Sequence, residues 1–184
     1  MHAFEPAPPP PERHTAIGAW TFLAAILLGP SLLVWIVRAA AFGFQCAPGP
    51  ASCHGIPLGG GLRDTLNLAW LVGDNTTLVI LLGIAAAIAA LFARRPLLAA
   101  LSALVLPMAS LVLPTMAVFV STYDGCASNE AGVGSCNLWG AQMGMSFHRA
   151  ALAPWLLYDV VPYAFAAAIM LGLIGWMFCR EKRR

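Results

Sequence analysis

Long apolar runs broken by short polar turns dominate the chain. A membrane-crossing helix needs roughly 20 mainly apolar residues to cover about 30 Å of hydrocarbon. Four stretches meet that length: Ile17 to Val37, Asn75 to Ala93, Leu97 to Val120 and Trp155 to Cys179. Only Arg94-Arg95-Pro96 separates the second from the third, so the two form a tight helical hairpin. Pro96 suits the first turn of a helix, where no amide donor is needed. The run at 17–37 exceeds the roughly 7–15 apolar residues of a secretory signal, although Ala39-Ala40-Ala41 resembles a cleavage site.

Two arms lie between the spans. In 54–73, Leu62, Leu66, Ala69 and Trp70 recur at helical spacing, with Arg63, Asp64 and Asn67 elsewhere around the turn. In 137–154, Trp139, Met143, Phe147 and Ala150 share one helical face. Both read as short amphipathic helices at a membrane interface, with tryptophans at headgroup level. An irregular loop packed over the bundle is the alternative. Each half of the chain thus repeats a span, a cysteine pair, an arm and a span. This is a parallel repeat, without the inverted repeats of many transporters. The expected fold is an all-α membrane protein, a four-helix transmembrane bundle with two disulfide-bearing outer loops. Residues 1–14 form a proline-rich tail, 15–180 the membrane domain and 181–184 a basic tail. The tail's prolines at 6 and 8–11 favour an extended, unpacked chain.

Composition agrees. The 184 residues are 60% hydrophobic and 10% charged, where soluble domains carry about 25% charge. A net charge of +2, with no basic stripe beside aromatics, gives no nucleic-acid partner. The partners expected are the lipid bilayer and other membrane subunits. Charge also orients the chain. Arg13, Arg94, Arg95, Arg180, Lys182, Arg183 and Arg184 fall on one side, against Arg38, Arg63 and Arg149 on the other. Both termini are therefore expected in the cytoplasm. Alanine-rich spans and a basic tail suit a bacterial inner membrane.

Cys46, Cys53, Cys126 and Cys136 fall in the outer loops, and Cys179 at the cytoplasmic end. An even number in the oxidising compartment fits structural disulfides. Turn-forming residues inside each short loop favour the pairs Cys46–Cys53 and Cys126–Cys136, worth about 2–3 kcal/mol each in the chain-entropy view. Neither spacing is that of a zinc site or of a reactive Cys-x-x-Cys dithiol.

Asp74 and Asp159 lie 20 and 21 residues before Arg94 and Arg180. At 1.5 Å per residue both stand about 30 Å from the cytoplasmic face. Arg38, 24 residues after His14, reaches the same height. Arg38, Asp74 and Asp159 are therefore expected either to meet as an outer-rim charge cluster or to snorkel separately. Ala164, Ala168 and Gly172 form a small-residue ridge that admits a close helix, either the first span or another protein's. The span centres carry no histidine, acid or base for haem, proton or ion work.

The layout resembles the quinone-linked thiol oxidases of the DsbB family, which are also four-span bundles with a cysteine pair in each outer loop. That resemblance implies electron transfer from a first, Cys-x-x-Cys pair to a quinone. Here the corresponding pair is Cys46-x6-Cys53, which departs from the motif, and no arginine matches by position. The expected function is non-catalytic: an accessory or assembly subunit of an inner-membrane complex, with no cofactor. The alternative is a quinone-linked thiol–disulfide oxidoreductase.

Overall fold

A computed structural model describes residues 11–47, 49–122 and 133–181. In chain order the elements are α1 (Pro11–Gly43), α2 (Leu58–Gly73), α3 (Thr76–Phe92), α4 (Pro96–Thr122), β1 (Asn137–Leu138), β2 (Ala141–Gln142) and α5 (Gly144–Glu181). Three helices are long and apolar enough to cross a membrane, over 14–43, 96–120 and 144–177. The 17-residue α3 is shorter, and with α2 it forms a pair bent by 78°.

Helix ends follow local chemistry. α1 starts at Pro11, inside the stretch expected to be an unpacked tail, because a proline lacks only an amide that the first turn does not use. Residues 1–10 lie outside the described residues. α3 is capped by Asn75, whose side chain accepts from the Leu78 amide at 3.0 Å. It ends with Arg94 in the left-handed region, φ 59°. The Arg94 amide donates to Leu91 and the Arg95 amide to Ala90, a Schellman closure. Pro96 then opens α4, so the turn between the two helices is as short as the sequence implies.

The helix directions follow from three side-chain bridges. The Trp20 indole donates to Ser102 Oγ at 2.8 Å, the Ser31 hydroxyl to the Ser110 carbonyl at 3.4 Å, and the Trp35 indole to the Leu113 carbonyl at 3.1 Å. Both numbers rise together, so α1 and α4 run parallel. Gly83 sits against the Pro107 ring, Gly172 near Ala100 and Gly175 against Pro96. α3 and α5 therefore run opposite to α4. Ser110 owes its free carbonyl to Pro114, which has no amide to offer four residues on. Ser31 supplies the missing donor, as neighbouring helices do for prolines buried in membranes.

The interior changes character along its length. At the end near Arg94, Ala87, Ala90, Ala99, Ala103 and Ala167 make a layer of alanines that lets backbones approach. The middle packs Ala24, Leu27, Val79, Ala86 and Leu106. The far end is widest, where Val34, Leu66, Trp70, Leu111, Leu138, Trp139, Met143 and Phe147 bury together. The segments between helices belong to that last cluster and form a cap over it.

The arm at 54–73 is helical as expected, and α2 buries Leu62, Leu66, Ala69 and Trp70. The arm at 137–154 is not one short helix. Residues 137–142 form a β-hairpin, and the remainder is the first part of α5, continuous with the last apolar run. Met143, Phe147 and Ala150 do share a buried face. Trp139 is buried in the turn of the hairpin instead.

Candidate functional site

The cap is built outward from the end of α1. Gln45 takes the left-handed conformation, φ 51°, and the Cys46 amide returns to the Ala41 carbonyl at 3.0 Å. This second Schellman closure leaves Cys46 pointing the chain away from the helix. Cys46 is bonded to Cys53, with Cα atoms 5.1 Å apart. After Cys53 the chain turns back through His54 and Gly55, both at positive φ, and the Ile56 amide donates to the Cys53 carbonyl. The loop 46–53 is thus closed by a covalent bond and followed at once by a tight turn.

The hairpin 137–142 plugs into that loop. Its two-residue turn is Trp139-Gly140, at φ 49° and 81°. Positive φ at both positions marks the type I′ geometry that suits the strand twist. Glycine adopts it freely, but a tryptophan does so at a cost of roughly 1–2 kcal/mol. Here the strain is held by contacts. The Trp139 amide donates to the Gly49 carbonyl at 2.9 Å, and its indole donates to the Ala47 carbonyl at 3.2 Å. The Arg38 guanidinium carbon stands 5.5 Å from the ring centroid, a cation–π distance. Only 4% of Trp139 remains exposed. On the other side, Gly59 of α2 touches the hairpin so closely that a β-carbon would overlap the carbonyl oxygens of Leu138 and Trp139.

Beside this plug lies a pocket of about 570 Å³, walled by Arg38, Ala41, Phe42, Gln45, Cys46 and Trp139. It is the place where a guanidinium, an aromatic face and a disulfide sulfur come together. Cys53, the other half of the bond, is buried, and so is Cys136. Cys136 is itself disulfide-bonded. Cys126, the partner expected for it, lies outside the described residues.

The charges sort differently from the expected rim cluster. Asp74 pairs with Arg149, Nε to Oδ2 at 3.5 Å, while Arg38 lies over Trp139. Asp159 is exposed on α5. The reason is geometric: α5 begins at Gly144, so Arg149 stands on a helix that reaches the corner after α2. Burial raises the Asp74 carboxyl above its ordinary value, and the charge of Arg149 pulls it partway back. Ala164 is buried and Ala168 partly so, and Gly172 sits near Ala100 of α4. The small-residue ridge therefore serves packing within the chain, against α4 rather than α1.

Trp139's role as a plug, Gly59 as its seat and Arg149 as the partner of Asp74 were not foreseen. The Trp-Gly pair was the available signal, but it is flanked by strands only two residues long. No protein-family model matches the chain, and no curated protein or solved structure is significantly similar to it. What the cap does must be argued from its own residues.

The three glycines at the start of α2 give a sharp test. Gly59→Ala should lower stability by about 1–3 kcal/mol through overpacking. Gly61→Ala, with nothing within 4 Å, should instead raise it by about 0.4–1 kcal/mol. Thermal unfolding of both variants in mild detergent measures the contrast, and equal effects would contradict the close docking of hairpin on α2.

Asp74 predicts a pH trend. Its folded value is raised, so the fold keeps that proton to higher pH than the unfolded chain does. The stabilising contribution is present below the ordinary carboxyl value and is lost as pH rises through the raised one. The unfolding midpoint should show a downward component as pH rises from the ordinary carboxyl value through the raised one, and Asp74→Asn should remove it.

Proposed function

We propose that this chain is a non-catalytic multi-pass protein of a bacterial inner membrane, an accessory or assembly subunit packed laterally against a larger complex. Four helices, α1, α3, α4 and α5, cross the bilayer in alternation, with both termini cytoplasmic and the cap outside. Trp155 and Trp176 are exposed on α5 and 21 residues apart, about 32 Å along a helix. That separation suits two interfacial aromatic belts. The 17 residues of α3 cover about 26 Å, with Arg94 and Arg95 at one end and the turned-away α2 at the other. A small mismatch of this kind is met by local thinning of the bilayer.

The observation that carries the reading is how the polar interior is used. Ser31, Ser102, Ser110 and Thr115 are buried, and the hydroxyl of each donates to a backbone carbonyl. Ser31 reaches from α1 to α4 and Ser102 accepts from Trp20 of α1, while the hydroxyls of Ser102, Ser110 and Thr115 bond within α4. Meanwhile Tyr158, Tyr163, Phe165, Met170 and Trp176 project from α5, a composition enriched where proteins meet. A photo-crosslinking residue placed at Tyr163 or Phe165 should yield one discrete protein adduct in native membranes. Lipid adducts alone, with a monomeric particle in mild detergent, would refute the subunit reading.

A second reading is favoured by Cys46 on the wall of the Arg38 pocket. There the Cys46–Cys53 bond would oxidise a substrate dithiol, become two thiols, and pass two electrons and two protons to a quinone, giving the quinol. Dithiol-dependent quinone reduction lost in Cys46→Ser would establish it. No such turnover, with only lowered stability in that variant, leaves the bond as a staple.

A further inference from the structure

The corner between α2 and α3 holds another concavity, of about 380 Å³. Asn67, Trp70, Asp74, Asn75, Thr76 and Arg149 line it. Its two charges have opposite sign and come from distant parts of the chain. Asp74 ends α2, and Arg149 stands on the second turn of α5. They approach to 3.5 Å, beyond the usual 2.7–3.2 Å of a nitrogen–oxygen hydrogen bond. Among the described residues neither side chain makes a hydrogen bond, and each is more than a third exposed. The pair attracts without being locked, and both groups keep bonding capacity.

The same corner is where α3 starts. Asn75 caps the Leu78 amide and the Val79 amide returns to the Asn75 carbonyl. The amides of Thr76 and Thr77, in the same first turn, have no intrahelical acceptor. They carry the positive end of the helix dipole. One carboxylate, one guanidinium fork and one helix start therefore converge on a single cavity. A ligand that answers all three has an ammonium and an anionic oxo group a short chain apart.

We propose that this pocket binds a phosphoethanolamine headgroup, supplied by a phosphatidylethanolamine of the outer leaflet. Arg149 and the first amides of α3 take the phosphate, as a planar guanidinium does in bidentate fashion. Asp74 accepts from the primary ammonium. A choline headgroup has no N–H to give, and a glycerol headgroup has no cation, so Asp74 selects against both. The assignment rests on α3 being a span, which sets this corner at headgroup level.

The test uses the full chain in nanodiscs holding equal amounts of phosphatidylethanolamine, phosphatidylcholine and phosphatidylglycerol with matched acyl chains. Native mass spectrometry of the released protein should show phosphatidylethanolamine retained about tenfold over the others, the size of one charge-assisted contact. Asp74→Asn and Arg149→Gln should each erase that preference, and Arg63→Gln on the exposed side of α2 should keep it. Equal retention of the three lipids by the unaltered protein overturns the proposal, as does a preference that survives both substitutions. Soluble phosphoethanolamine that raises the unfolding midpoint without any lipid preference would assign the pocket to a free zwitterion and overturn the lipid source. An impermeant thiol reagent on Leu68→Cys, exposed on α2 outside the pocket, checks the topology separately in right-side-out vesicles. Labelling there without lipid preference sinks the headgroup site while leaving the spans intact.

Discussion

One strained residue organises the capped half of the molecule. Trp139 stays in a left-handed turn because two carbonyls of the loop 46–53 accept its donors and Arg38 covers its ring. Each hydrogen bond contributes about 0.5–1.5 kcal/mol net, and indole burial adds more, so together they exceed the backbone cost. Those carbonyls sit on the loop that the Cys46–Cys53 bond closes. α2 begins after the four residues 54–57, with Gly59 fitted under the hairpin. Disulfide, turn, hairpin and helix start are therefore one mechanical unit, and each is a condition for the next.

The helices below obey a different economy. A lipid-facing bundle gains little from burying apolar side chains, so close contact and hydrogen bonds decide its order. Two tryptophans and a serine of α1 reach three groups on α4, one of them the carbonyl left free by Pro114. Pro114 thereby supplies one of the three attachments of α4 to α1. Alanines at the Arg94 end and glycines at 83, 172 and 175 let α3 and α5 close on α4. The small residues are consumed inside the chain. Large apolar side chains are left on the outside of every long helix, Phe22 and Ile36 on α1, Phe92 on α3, Leu97 on α4 and Tyr163 and Phe165 on α5 among them.

Regular periodicity was readable and irregular backbone was not. Leu62, Leu66, Ala69 and Trp70 announce α2 because a single buried stripe sets their spacing. The spacing of Trp139, Met143, Phe147 and Ala150 looked equally helical. Three of the four do share a helix face, yet Trp139 belongs to a turn whose signal spans two residues. The charge pairing failed for a related reason. Height along the spans says nothing of Arg149, which lies in an arm by sequence, whereas α5 carries it to Asp74 without interruption. The Cys46–Cys53 bond is legible because the six residues between them, two prolines and a glycine included, close readily.

The length of α5 has a consequence of its own. It begins two residues after the hairpin and continues for 38 residues, about 57 Å at helical rise. No loop intervenes to absorb motion; Pro154 and Pro162 are its built-in points of compliance. A displacement of the cap is thus delivered to the far end as a tilt of one rod, with Trp139 as the fastening at its driven end. Latch and lever arm are the same piece of chain.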